Sequence, residues 1–256
     1  MNAVILAALS VWTIMTLTWI VSVFKKDVSI VDTIYSLNFI GIAAAYQSQA
    51  EYTLTTTLLS LSVTLWALRL MLHLGYKNWG QPEDHRYQRF RKNYGAERYW
   101  WFSYLQVFML QGLFVWIFAL PIHVAYLNTQ TTLITPLFYL GAALFTFGFL
   151  YESIADYQLV RFKNKAPEKA LLTSGLWKYS RHPNHFGEIV LWYGIATLSA
   201  SQFNPYAVLA YIGAIAIMFT LHYISGPVQQ ESRMEKNKDK FNDYRNNTPR
   251  IVPKIF

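Results

Sequence analysis

Asn184 and Glu188 lie four residues apart just after Pro183, so a helix starting at that proline presents an amide and a carboxylate side by side. Such a pair suits a carboxamide, as in a nicotinamide. Glu152 and Asp156 repeat the spacing upstream, and two carboxylates on one face accept hydrogen bonds from ribose hydroxyls or an adenine amine. Lys163, Lys178 and Arg181 bring charges that meet phosphates, Arg181 as a bidentate fork and the lysines as point charges. The N–H groups opening the helix at Pro183 offer a further place for an anion. His182, His185 and Glu188 also have helical metal-ligand spacing. The chain has only six His, however, and no metal site is expected.

These groups sit in an apolar chain. Of its 256 residues 54% are hydrophobic and 14% charged, against roughly 25% charged in soluble domains. Apolar stretches long enough to cross a hydrocarbon layer of roughly 30 Å run over Ala3–Phe24, Ile30–Tyr46, Leu54–Leu74, Phe102–Ala125, Leu133–Tyr151, Phe186–Ala200 and Pro205–Ile224. The sixth is short and carries Glu188. The first lacks a basic leader and a small-residue cleavage site, so it reads as a retained anchor. The expected fold is therefore all-α, a seven-helix integral membrane bundle forming one domain over residues 1–256.

Charge orients it. Of 22 Lys and Arg, 21 fall in the first, third and fifth connections and in the tail, and the connections at Gln47–Thr53, Asn128–Thr132 and Ser201–Asn204 contain none. The positive-inside rule then puts the N-terminus outside and the C-terminus in the cytoplasm. The net charge of +8 is thereby explained by topology, without a nucleic-acid partner. The long, polar connections all lie on the cytoplasmic side, mainly residues 77–98, 152–192 and 229–256. A polar helix outside the bilayer is expected over Gln229–Tyr244, ended by Thr248-Pro249 and Pro253.

Ionisable residues inside a membrane default to function, and Asp32, Arg69, His73, Glu152 and Glu188 all fall toward the cytoplasmic half of their spans. They could line one cavity, or Arg69 could pair with Asp32 or Glu188 simply to hold helices together. With no Cys there is neither thiolate nor disulfide. No GxGxxG, P-loop or GxSxG is present, which leaves soluble nucleotide folds and serine hydrolases unsupported. Trp177, Tyr179 and Trp192 suit interfacial anchors as well as stacking platforms.

The run Gly175-Leu176-Trp177 through Arg181-His182-Pro183-Asn184-His185-Phe186-Gly187-Glu188 resembles the membrane-bound reductases that include steroid 5-alpha-reductase, and more closely their bacterial relatives. Glu152, Asp156, Gln158 and Lys163 resemble the preceding signature, and Glu83-Asp84-His85-Arg86-Tyr87 an earlier one. Glu231, Tyr244 and Pro253 resemble the family's tail. The resemblance implies a multi-pass protein of the bacterial inner membrane, with its site facing the cytoplasm. It implies that NADPH reduces a carbon–carbon double bond conjugated to a carbonyl in a steroid-like or other lipid-like substrate drawn from the bilayer, with no protein partner. By matched position Asn184 and Glu188 hold the nicotinamide, Glu152 and Asp156 the nucleotide, and Lys163, Arg181 and Lys77 the phosphates. Tyr179, His182 and Glu231 are further candidates for holding the cofactor.

The substrate half departs from the family, whose carbonyl-polarising Glu and Tyr have no clean match; Glu51 and Tyr52 fall on the outer side. Enolate chemistry still needs a proton donor, and His73, Tyr35 or Tyr76 could serve, with Asp32 orienting it. Two rivals remain. An S-adenosylmethionine-dependent methyltransferase of the isoprenylcysteine carboxyl type shares Arg181-His182-Pro183 and the acidic tail helix. A transporter or structural membrane protein would instead show midplane polar residues and repeated halves, and no repeat is visible.

Overall fold

The computed structural model describes residues 2–127, 134–167, 170–203, 205–224, 231–232, 234–235 and 240–254, and all regular structure among them is helical. In order these are α1 (Ala3–Lys25), α2 (Ile30–Ile34), α3 (Leu37–Gln47), α4 (Leu54–Asn78), α5 (His85–Tyr94), α6 (Ala96–Ser103), α7 (Leu110–Phe118), α8 (Leu120–Ala125), α9 (Pro136–Lys163), α10 (Pro183–Ala200), α11 (Ala207–Phe219) and α12 (Phe241–Asn247). A π-helical stretch, Tyr104–Met109, joins α6 to α7, and another, Thr220–Ile224, extends α11. The connection at Asn128–Thr132 lies outside the described residues, as does much of the polar tail helix expected over Gln229–Tyr244.

Four helical runs are long and apolar enough to cross a membrane: Ala3–Lys25, Leu54–Asn78, Ala96–Phe118 and Pro136–Lys163. Their starts follow local chemistry. Asn2 caps α1 by accepting from Val4 N–H at 2.9 Å, Thr53 and Thr56 form a reciprocal capping box on α4, and Thr135 caps α9 ahead of Pro136. The other expected spans are shorter helices. Ile30–Tyr46 divides into α2 and α3 around Ser36, whose Oγ donates to Ala67 O at 2.9 Å while Asn38 Nδ2 donates to Tyr35 O at 2.8 Å. These side chains compete with the helical ladder where it breaks. The fourth run starts at Ala96, earlier than hydropathy indicates, and breaks at Ala119 before Pro121, which has no N–H to continue it.

Leu61, Leu65, Leu68 and Leu72 form one exposed apolar face of α4. That face suits lipid, whereas the opposite face packs inward through Leu59, Val63, Trp66 and Leu70. At the centre the Phe39, Trp66 and Trp192 rings meet at centroid distances of 5.0 to 5.4 Å.

The tightest contact joins α9 to the antiparallel α10. Gly141 and Gly148 on one helix, Gly187 and Gly194 on the other, are each seven residues apart and lie directly against the partner backbone; a Cβ on Gly187 would sit 2.5 Å from Glu152 N. Only hydrogen fits there. This approach fixes the register that brings Glu152 beside the first turns of α10.

Candidate functional site

The 28 residues of α9 span roughly 42 Å at 1.5 Å per residue, more than a hydrocarbon layer requires, so the helix carries Glu152, Asp156 and Lys163 to one end of the bundle. α4 presents Arg69, His73 and Lys77 toward the same end at four-residue intervals, and α10 begins there at Pro183.

Arg69 reaches both acids of α9. Its Nη1 donates to Glu152 Oε1 at 2.5 Å and its Nη2 to Asp156 Oδ2 at 2.6 Å. His73 Nε2 lies 3.6 Å from Asp156 Oδ2. Glu152 and Asp156 are buried, and Glu188 is within electrostatic range of Asp156 and Arg69. Tyr35, at the end of α2, feels Glu188, Glu152 and Asp32. Among the described residues, the buried atoms Glu152 Oε2 on α9 and Asn184 Oδ1 and His185 Nδ1 in the first turn of α10 have no hydrogen-bond partner. One helical end thus assembles a dense polar cluster with acceptor capacity to spare.

Other expected residues are placed differently. The carboxylate facing His73 is Asp156, where the sequence pointed to Asp32. Asp32 accepts instead from Arg86 Nη2 at 2.5 Å, Tyr87 OH at 2.8 Å and Gln111 Nε2 at 3.3 Å. That network, with Glu83 bound to Arg91 at 2.8 Å and to Val28 N–H at 2.9 Å, ties α5 to the start of α2. Tyr76 is exposed on the outside of α4. Tyr179 is also exposed, with the Lys178 ammonium 5.8 Å from its ring centre. Among the described residues no group of three His, Asp or Glu is arranged to hold a metal ion.

Arg181 serves the tail. Its Nε donates to Glu231 Oε1 at 2.9 Å and its Nη1 to the carbonyls of Arg245 at 2.9 Å and Thr248 at 2.5 Å. Its backbone N–H donates to Pro249 O, and His182 N–H to Arg250 O, each at 2.9 Å. Tyr244 OH donates to Trp177 O at 2.5 Å, and Arg250 Nη2 completes the grip on Glu231 at 3.1 Å. The Arg-His-Pro sequence therefore anchors the C-terminal segment over the start of α10. His182 links both structures, with Nε2 3.1 Å from Glu231 Oε1 and its ring stacked on His185 at 5.4 Å. Arg250 carried no sequence signal; it became visible only through its contact with Glu231.

The clamp predicts an acid sensitivity. Burial lowers the pKa of the His182 imidazole, outweighing the opposing pull of Glu231. Burial by itself would raise the Glu231 pKa, but hydrogen bonds from His182 and Arg181 hold it down at about 2. Both groups bind protons more readily in the unfolded chain, so both lose stability as pH falls. For His182 the loss begins below its unfolded value of about 6.5, and for Glu231 it continues from about 4.3 downward. Limited proteolysis in detergent should show the tail becoming cleavable between about pH 6.5 and about pH 4; equal resistance across that window contradicts the clamp.

A family model described as a protein of unknown function, DUF1295, matches residues 18–248. A Schizosaccharomyces pombe (strain 972 / ATCC 24843) protein described as uncharacterised is 25% identical over 231 residues, which cover 78% of this chain and 66% of that protein. The match thus spans about two-thirds of the relative's length. No solved structure matches the chain.

Proposed function

We propose a function from the premise that this chain belongs to the DUF1295 family, which is related to steroid 5-alpha-reductase-like membrane proteins. It is an NADPH-dependent reductase of a carbon–carbon double bond conjugated to a carbonyl in an apolar, lipid-like substrate. The bundle crosses the bacterial inner membrane seven times, with the N-terminus outside and the polar cluster open to the cytoplasm.

The observation that carries this reading is the set of unpartnered buried polar atoms among the described residues, Glu152 Oε2 on α9 with Asn184 Oδ1 and His185 Nδ1 in the first turn of α10. Buried polar atoms are nearly always paired. A carboxamide N–H₂ and ribose hydroxyls are donors of the kind these atoms lack, so the residues fit the nicotinamide half of the nucleotide. NADPH would supply the hydride. Asn184 and Glu188 would orient its carboxamide, Glu152 and Asp156 its hydroxyls, and Lys77 and Lys163 its phosphates. Arg181, engaged by Glu231 and the tail carbonyls, would act by shaping the entrance.

A second reading has one observation in its favour. Three carboxylates around one arginine suit a cation, and the sulfonium of S-adenosylmethionine is one. Titrating the detergent-purified protein with each compound separates the two: NADPH should bind, and tight S-adenosylmethionine binding with none for NADPH overturns the reductase. Glu188→Ala should weaken NADPH binding at least about tenfold, equivalent to about 1.4 kcal/mol. Unchanged affinity would mean the carboxamide is held elsewhere.

A further inference from the structure

The polar end of α9 carries a second set of cations, turned away from Glu152 and Asp156. Gly141 and Gly148 press one face of the helix onto α10, and the side away from that contact bears the exposed apolar residues Leu150, Ile154 and Tyr157. Their intervals of four and three residues make them one continuous stripe. Arg161 extends it by a further four residues and Lys165 by four more, both of them exposed. Because Arg161 follows Asp156 by five residues, it is turned about 140° around the helix from that acid. The stripe thus leads from lipid-facing surface to two charges that the Arg69 cluster does not use.

Arg161 and Lys165 border a cleft of about 380 Å³ between the last turns of α9 and the loop at residues 172–175. Phe162 and Leu172 give it an apolar wall, and Gln158 and Ser174 supply polar groups. The loop is tied to the helix, since Gln158 Oε1 accepts from Leu176 N–H at 3.0 Å and Trp177 Nε1 donates to Ala155 O at 3.1 Å. Gly175 permits this approach: its φ is +61°, and a Cβ there would fall 2.6 Å from Gln158 Oε1. The bond to Leu176 leaves Gln158 Nε2 as a donor. Among the described residues no Asp or Glu lines the cleft, and neither Arg161 nor Lys165 forms an ion pair.

Depth along the helix selects the occupant. Counted from Pro136 at 1.5 Å per residue, Tyr157 lies roughly 32 Å along α9 and Arg161 roughly 38 Å. A hydrocarbon layer is roughly 30 Å thick, and a bilayer with its headgroups roughly 40–45 Å. The stripe therefore ends at the boundary where Tyr is favoured, and the cleft opens among the headgroups. A guanidinium fork and an ammonium suit a phosphate there, whereas the positive charge of a zwitterionic headgroup finds no acid to meet. We propose that this cleft holds one anionic phospholipid, its phosphate between Arg161 and Lys165 and an acyl chain along Leu150, Ile154 and Tyr157. The site is independent of the reductase reading.

Native mass spectrometry of the detergent-purified protein, with phosphatidylglycerol and phosphatidylcholine of matched chains, tests the assignment. One phosphatidylglycerol should be retained in preference to phosphatidylcholine, and Arg161→Gln with Lys165→Gln should weaken its binding at least about tenfold. Arg89→Gln with Lys92→Gln removes two exposed cations from α5 and should leave that binding unchanged. Equal retention of the two lipids, or equal effects of the two double variants, would reflect net charge alone and overturns the site. Inorganic phosphate that raises the melting temperature as far as phosphatidylglycerol does would mark a plain anion site and overturns the lipid. In the wild-type protein, phosphatidylglycerol with a photoreactive acyl chain should label residues 150–157. Labelling confined to other helices overturns the proposal, and this measurement decides the matter even if a variant does not fold.

Discussion

Gly187→Ala is expected to cost the protein its stability and, on the reductase reading proposed above, its binding of NADPH. The added Cβ would lie 2.5 Å from Glu152 N and 2.8 Å from Glu152 Cα, and neither backbone atom can rotate away as a side-chain tip can. To reach ordinary contact α9 and α10 must separate by about 1 Å, on the order of 1–3 kcal/mol for overpacking a closed interface. The shift moves Glu152 away from Arg69, so NADPH affinity should fall together with the melting temperature in detergent. Gly75→Ala is the matched control, because its Cβ would meet only Thr33 Cγ2 at 3.6 Å. A Gly187→Ala protein that melts and binds like wild type would show that the helices do not approach this closely.

Arg69→Met should be comparably severe for a different reason. The side chain keeps most of its length, but Glu152 and Asp156 lose the cation that both of them contact at 2.5–2.6 Å. Stranding buried charges in this way costs about 3–5 kcal/mol, limited by the acids taking up protons instead. Thermal unfolding should register the loss, and NADPH titration a matching loss of binding. Adding Glu152→Gln and Asp156→Asn removes the stranded charge, so the triple variant should regain stability but not binding. If stability and binding return together, the triad is only a structural clamp.

Much of this was legible along the chain. The apolar runs gave α1, α4 and α9 their positions, because a membrane demands a continuous hydrophobic length and composition records length directly. Four-residue spacing put Glu152 with Asp156 on a common face, since helical periodicity is local. Pro183 marked the start of α10. The break at Ser36 and the early start of the run at Ala96 were not legible. The first turns on a hydrogen bond to Ala67 on another helix, and the second lies among charged residues that hydropathy discounts.

Asp32 and Arg181 show where sequence reasoning stopped. Residue type marked both as functional, but Asp32 is engaged by Arg86, Tyr87 and Gln111, and Arg181 by Glu231 and the tail carbonyls. By itself the sequence determined which residues share a helix face, which end of each helix is polar and that the helices are apolar enough for a membrane. Tertiary structure alone decided which charges meet. Arg69 belongs to Glu152 and Asp156 because four glycines let α9 and α10 touch and so set the height of both acids against α4. An ion pair forms only within a few ångströms, and that distance depends on packing between segments far apart in the chain.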